Sequence, residues 1–173
     1  MSKQIRPLPW ITDGANDFLL DKMKSGEIKS VLEFGSGAST VFISEYVDRI
    51  VSIEHDEGWH NTIKEIKEAR NLNSLECRLE PRPYNNVCEE YKDDKFDLVL
   101  VDGRDRVLCC KSSVHLVKPG GYMMLDNDER LRYKEVHDIL SKWEKSSFKQ
   151  EGVDYTGWLA PHVWVTTVWK NNQ

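Results

Sequence analysis

VLEFGSGAST, residues 31–40, passes from two apolar residues through an acid and Phe34 into Gly-Ser-Gly and a Ser-Thr pair. The pattern predicts a short buried strand that ends at a small-residue turn opening a helix. Gly35 and Gly37 let a backbone approach a ligand with no side chain between them, and a helix beginning near Ser39 presents N–H groups that it cannot use internally. In an open parallel sheet, the first strand-to-helix turn is the usual cradle for a ligand.

Outward from this stretch, strand-like and helical patterns alternate, the signature of a parallel sheet wrapped by helices. RIVSIE (49–54) reads as the second strand, LECRLE (75–80) as a weaker third, and KFDLVLVD (95–102) as the strongest, with five of eight residues apolar or aromatic. YMMLDN (122–127) is the fifth. Between them, TVFISEYVD (40–48) reads as a helix, and Asp56 caps another in which Trp59, Ile63, Ile66 and Ala69 recur at helical spacing. PRPYNN (81–86) reads as a turn. A further helix carries Val107, Cys110, Val114 and Val117 on one stripe and is stopped by KPGG (118–121). Tyr133, Val136, Leu140 and Trp143 share a face of the next. SFKQEGVDY (147–155) and HVWVTTVWK (162–170) have no helix between them and are expected to pair antiparallel or to lie side by side at the sheet edge. Residues 13–24, with Phe18, Leu19 and Met23 on one face, form a preliminary helix ending near Gly26.

The 173 residues suit one domain spanning 1–173, of which 1–30 is an N-terminal segment and helix preceding the first strand. With 31% charged residues and a net charge of −5, the chain carries no basic footprint for nucleic acid or an anionic membrane, so a small acceptor molecule is the expected partner. No apolar run approaches the ~20 residues that span a bilayer, and MSKQIRPLPW lacks a signal-peptide core, so a cytoplasmic protein is expected. Cys77, Cys88, Cys109 and Cys110 include no C-x-x-C pair and read as reduced packing residues.

Glu54 lies 19 residues beyond Gly35 at the end of the second strand, where a carboxylate can accept both hydroxyls of a ribose. Turn and acid together point to a nucleoside-bearing cofactor. The dinucleotide fingerprint requires a third glycine where this chain has Thr40, and Glu33 would repel a pyrophosphate while suiting the ammonium end of a cationic cofactor such as S-adenosylmethionine.

In order and spacing, VLEFGSGAST, IVSIEHDEGW (50–59), FDLVLVDGRDR (96–106) and LVKPGGYMMLDN (116–127) resemble the successive motifs of class I S-adenosylmethionine-dependent methyltransferases. The combination of Pro9-Trp10, SIEHDEGW, VDGRDR, LDN and TTVW is similar to a group of small methyltransferase-like proteins whose substrates are unassigned. The resemblance implies an α/β, Rossmann-like fold: a seven-stranded, mostly parallel sheet with a C-terminal antiparallel strand and helices on both faces. It further implies that Glu33, Gly35, Ser36 and Gly37 line the methionine half of the cofactor and that Glu54 binds the ribose. His55 and the turn around Pro81 to Tyr84 would border the adenine, with Tyr84 a stacking candidate, and Asp102 would face the methyl group.

Asp102 and the pair Asp126-Asn127 end adjacent strands, and their oxygens suit Mg²⁺, an arrangement similar to the metal triad of catechol-type O-methyltransferases. Those enzymes place a lysine base shortly after the first aspartate, whereas this chain reads Asp102-Gly103-Arg104-Asp105-Arg106. Arginine stays protonated, which leaves Asp105 as the candidate base, with the plainer role of an acid at a helix start. Asp126-Asn127-Asp128 has an equally plain role as a turn and cap. Arg104 and Arg106 read as exposed helix-start residues or an anion clamp, His162 as a loop residue or a substrate-side acid or base, and Trp10, Trp158 and Trp164 as packing or an apolar wall. His55 and His60 are spaced to splay around a helix and suit solvated polar roles better than a metal cluster.

The expected activity is methylation of a hydroxyl on a small sugar-like or phenol-like acceptor, since no N-P-P-Y-type tetrapeptide of nitrogen methyltransferases is present. The rivals are a partner-binding module that keeps the fold without catalysis, an NAD(P)-dependent oxidoreductase, and a nucleic-acid methyltransferase.

Overall fold

The continuous apolar runs of the central strands require cover on both faces, and the fold supplies it. The computed structural model describes residues 8–153 and 161–173. Its strands are β1 (Ser30–Phe34), β2 (Arg49–Glu54), β3 (Leu75–Leu79), β4 (Phe96–Val101), β5 (Val117–Leu125), β6 (Glu144–Val153) and β7 (Pro161–Lys170). They form one sheet of order β3-β2-β1-β4-β5-β7-β6, in which β1 to β5 run parallel and β7 pairs antiparallel with both β5 and β6. The expected seven-stranded, mostly parallel sheet is therefore present.

Helix α1 (Asp13–Lys24), α2 (Ala38–Ser44) and α3 (Glu57–Arg70) cover one face, and α4 (Arg106–Ser113) and α5 (Lys134–Ile139) the other. The period-two alternation of the strands assigns the faces: Val31, Ile50, Leu98, Leu100 and Met124 pack with Leu19, Ile43 and Ile63, while Leu32, Phe34, Val99, Val101 and Met123 pack with Cys109, Cys110 and Val136. Glu33 alternates onto the α2 side and is fully buried there. All four cysteines are free. No helix among the described residues is long and apolar enough to cross a membrane.

Local chemistry explains most boundaries. Asp56 caps α3 by accepting from Trp59 N at 2.8 Å, and Asn71, at φ 56°, ends it in the left-handed conformation. Several expectations differ. Tyr133, Val136, Leu140 and Trp143 do not share one helix: Tyr133 ends a 3-10 turn, α5 stops at Ile139 and Trp143 lies beyond it. The stripe Val107, Cys110, Val114, Val117 is not one helix: α4 ends at Ser113, Val114–Leu116 form a 3-10 turn, and Val117 already belongs to β5. KPGG accordingly is not a helix stop but an excursion within β5, whose pairing with β4 jumps from Phe96↔Val117 to Leu98↔Tyr122. The turn PRPYNN leads into a 3-10 helix, Tyr84–Glu89, that buries Tyr84, Val87 and Cys88.

Strand order reverses between β1 and β4, so the first turn of each projects from the same rim of the sheet. There two neighbouring strands send their chains to opposite faces and leave a crevice.

Candidate functional site

The crevice is framed by contacts between backbones. Asp102 N and Gly103 N both donate to Phe34 O, at 3.0 and 2.8 Å, and Gly35 N donates to Ile53 O at 2.8 Å. Gly35 has φ +100°, and a Cβ there would lie 2.5 Å from Gly103 Cα. The turns after β1 and β4 thus touch, which only paired glycines permit. Above them opens a cavity of about 610 Å³ lined by the 35–39 turn, Glu54, His55, Trp59, Asp102 and the Asp126-Asn127 pair, among others. That size lies within the usual range of small-molecule sites.

Glu54 is the anchor of the wall. Its Oε1 accepts from His55 N and Asp56 N, each at 2.7 Å, and its Oε2 accepts from Ser36 N at 2.9 Å. A carboxylate has room for about four acceptances, so this one is fixed in place with capacity for a ligand hydroxyl. The Ser36 bond joins the glycine turn to the end of β2, uniting the two features singled out in the sequence.

Glu33 lies beneath the turn and not on the cavity wall. It receives Ser39 Oγ on one oxygen, and Thr40 Oγ1 at 2.5 Å and Ser52 Oγ at 2.6 Å on the other. Thr40 Oγ1 in turn accepts from Gly37 N at 2.8 Å. Where a dinucleotide fold would use a third glycine for close packing, this chain uses a hydroxyl that ties the turn to a buried acid. Burial pushes the Glu33 carboxyl up to about 7 against the pull of its three hydroxyl donors.

That shift has a sign. The folded value lies above the ordinary 4.5, so the native state binds the proton more tightly than the unfolded chain, and stability is fully present below about pH 4.5 and falls as pH rises toward about 7. At about 1.4 kcal/mol per pKa unit the loss is on the order of 3 kcal/mol. Glu33→Gln is expected to flatten the stability profile over this window, measured by denaturant unfolding at a series of pH values; an unchanged slope would show that Glu33 is ionised at little cost.

Asp102 ends β4 with its side chain 24% exposed to the cavity. Desolvation, then the neighbouring Asp126 carboxylate, push its pKa well above the usual carboxylate range. Asp126 is buried and also raised by desolvation, opposed by donation from Thr166 Oγ1 at 2.8 Å. Between the two sits Arg106. It is not an exposed helix-start residue as its place in the sequence implied: it is 7% exposed. Its Nε donates to Gly103 O at 2.9 Å, its Nη2 to Asp102 O at 2.5 Å and Oδ1 at 3.0 Å, and its Nη1 to Asp126 O.

Other assignments land elsewhere. Asp105, at φ 50°, turns to Arg82, which holds it by two bonds of 2.8 and 2.6 Å and keeps its carboxyl below the ordinary value. It does not reach the cavity wall, so the geometry gives it a structural partner and not a proton to take. Tyr84 is buried under the rim, stacked between Phe34 and His55, with its hydroxyl donating to Arg104 O at 2.9 Å. His55, whose ring lies on Tyr84, lines the cavity together with Trp59, Trp10 and Trp164. Among the described residues no three His, Cys, Asp or Glu side chains are grouped to hold a metal ion. The triad Asp102, Asp126 and Asn127 does come together on one wall, but with a guanidinium already bonded to Asp102 and lying against Asp126. Mg²⁺ does not fit these residues as they stand. Trp158 lies outside the described residues, and His162 is described only as the backbone partner of Gly152.

Sequence reading missed Trp59, Thr166 and the burial of Arg106. Thr166 had a signal as one of two adjacent threonines within an apolar stretch of β7, both of them fully buried. A second cavity of about 320 Å³ continues past Asp126 and Asn127, between Trp10 and Trp164, to Thr12 and Asn16. Thr12 Oγ1 and Asn16 Oδ1 are buried there without a hydrogen-bond partner.

Comparison with known proteins bears on the fold. No family model matches the chain. No curated protein matches it. Solved structures do. An O-methyltransferase from Bacillus cereus in complex with SAH is 17% identical, with a TM-score of 0.69 over 94% of this chain and 84% of that one. A methyltransferase-like protein from Silicibacter pomeroyi is 20% identical, with a TM-score of 0.66 over 96% and 90%. An rRNA methylase from Streptococcus thermophilus is 9% identical, with a TM-score of 0.65 over 98% of each chain. The fold is that of the class I methyltransferases, as the motif resemblance implied.

Proposed function

We propose that the chain is an S-adenosylmethionine-dependent methyltransferase that methylates a hydroxyl of a small sugar-like or phenol-like acceptor. The observation that carries this reading is the bond from Ser36 N to Glu54 Oε2, which brings the glycine turn and the ribose-type acid onto one wall of the cavity at the sheet's switch point. When bound, the cofactor supplies an electrophilic methyl group on a sulfonium. The chain's own residues then hold and align: Gly35 and Gly37 admit the ligand close to the backbone, Ser36 lines the same turn, Glu54 fixes the ribose, and His55 and Trp59 border the base.

The smaller cavity is the acceptor chamber in this reading. Trp10 and Trp164 flank a ring, and the unpartnered oxygens of Thr12 and Asn16 take its polar groups. Asp102, on the wall of the larger cavity and made more basic by burial and the Asp126 carboxylate, receives the acceptor's proton as transfer proceeds. Methyl transfer asks mainly for alignment and exclusion of water, which two adjoining cavities provide. Asp102→Asn is expected to lower kcat by about 100-fold or more with little change in cofactor affinity. The wild-type kcat/KM is expected to climb with pH above the ordinary carboxylate range. A profile that is already flat just above the ordinary carboxylate range would remove Asp102 from the role.

The direct test is incubation with methyl-labelled S-adenosylmethionine and separate panels of sugars, phenols and RNA. Label on a sugar or phenol supports the reading. Label on RNA alone would transfer it to a nucleic-acid acceptor, and cofactor binding with no transfer to any panel would favour the partner-binding module.

A further inference from the structure

We infer that Arg106 is the built-in cation of this rim, occupying the place between Asp102 and Asp126 that a divalent ion would need, so that the site handles its acceptor without a metal. The inference concerns the rim itself and stands whether or not a methyl group is transferred there.

A small hard cation needs several oxygens with free lone pairs, arranged around it at short range. Here one oxygen of each carboxylate and both main-chain carbonyls already accept from a protein donor. Asp102 Oδ1 and O accept from Arg106 Nη2 at 3.0 and 2.5 Å, Asp126 O accepts from Nη1, and Asp126 Oδ1 accepts from Thr166 Oγ1 at 2.8 Å. The remaining Asp126 oxygen lies 3.8 Å from Nη1. An ion added among them would stand against a guanidinium with little water to screen the two charges.

Arg106 cannot leave by losing its proton, because arginine stays charged in proteins. Nor is it loosely held. It springs from the first residue of α4, donates through Nε to Gly103 O at 2.9 Å, and lies over the Tyr133 ring at 5.5 Å. One planar group therefore ties together the turn after β4, the end of β5 and the α4 start. These are the connections that a bound ion makes in a metal-dependent rim, and the neutralisation of two close carboxylates comes with them. Lysine at this position would supply the charge but not the fork.

The test is Mn²⁺ titration followed by electron paramagnetic resonance, run on wild type, Asp126→Asn, Arg106→Gln, Arg106→Lys and the double variant Arg106→Gln/Asp126→Asn. The wild type and Arg106→Lys are expected to leave the free Mn²⁺ signal undiminished. Arg106→Gln is expected to bind Mn²⁺ at least about tenfold more tightly than wild type, and the double variant to lose that gain. Loss of packing alone would not create a site that a second carboxylate substitution removes. A folded Arg106→Gln protein with no gain would overturn the inference. So would wild-type binding that Asp126→Asn abolishes, and this arm decides the matter even if Arg106→Gln does not fold.

Discussion

Alanine at position 35 is expected to cost the fold more than about 3 kcal/mol, most of the margin of an ordinary domain. Gly35 has φ +100°, where a side chain is strained, and an added Cβ would meet Gly103 Cα at 2.5 Å, Gly103 N at 2.6 Å and Asp102 C at 3.2 Å. All three are backbone atoms held by the bonds to Phe34 O, so no rotamer change relieves the clash. Gly37→Ala is the control. Its φ of −177° is ordinary extended backbone and its Cβ would meet nothing within 4 Å, so the protein should fold as the wild type does. Yet Gly37 lines the larger cavity, and a methyl group there should weaken cofactor binding by about tenfold or more. Chemical unfolding of both variants, with cofactor titration of the second, checks the pair. Equal stability losses at 35 and 37 would contradict this account of the rim.

Glu54→Ala is the second large effect. The substitution strips three N–H groups, those of Ser36, His55 and Asp56, of their acceptor and removes the oxygen proposed for the ribose. Binding of S-adenosylhomocysteine should fall by about 100-fold or more, roughly 3 kcal/mol. Glu54→Gln separates the two roles. The amide keeps one carbonyl oxygen for His55 N and Asp56 N, so the end of β2 should hold, while Ser36 N loses its acceptor and affinity still drops by about tenfold through the lost charge-assisted bonds. Titration calorimetry on both variants reads the difference, and wild-type affinity in Glu54→Ala would sink the assignment.

Much of this was legible in the sequence because the signals were local. Period-two alternation on apolar strands, the Asp56 cap and the Gly35-Ser36-Gly37 turn depend on neighbours in the chain, and each appears where expected. The glycine turn and Glu54 could be linked by spacing because a parallel sheet fixes where successive strands end. What sequence could not give depended on distant partners. Asp105 resembled a base until Arg82, 23 residues away, proved to hold it. Arg106 looked like a solvated charge because its burial arises from Tyr133 and Asp126, both from later in the chain. Glu33 pointed toward a cationic ligand from its charge alone, whereas Ser39, Thr40 and Ser52 absorb it beneath the turn. The end of α4 at Ser113 was not legible because Val114 and Val117 kept helical spacing across a 3-10 turn.

The central claim is that the crevice at the β1–β4 switch point is built for an adenosyl sulfonium cofactor. Calorimetric titration of the wild-type protein with S-adenosylhomocysteine, with NAD⁺ in parallel, tests it most directly. Micromolar binding of S-adenosylhomocysteine with no heat from NAD⁺ is the predicted result, and binding of NAD⁺ alone, or of neither ligand, would contradict it.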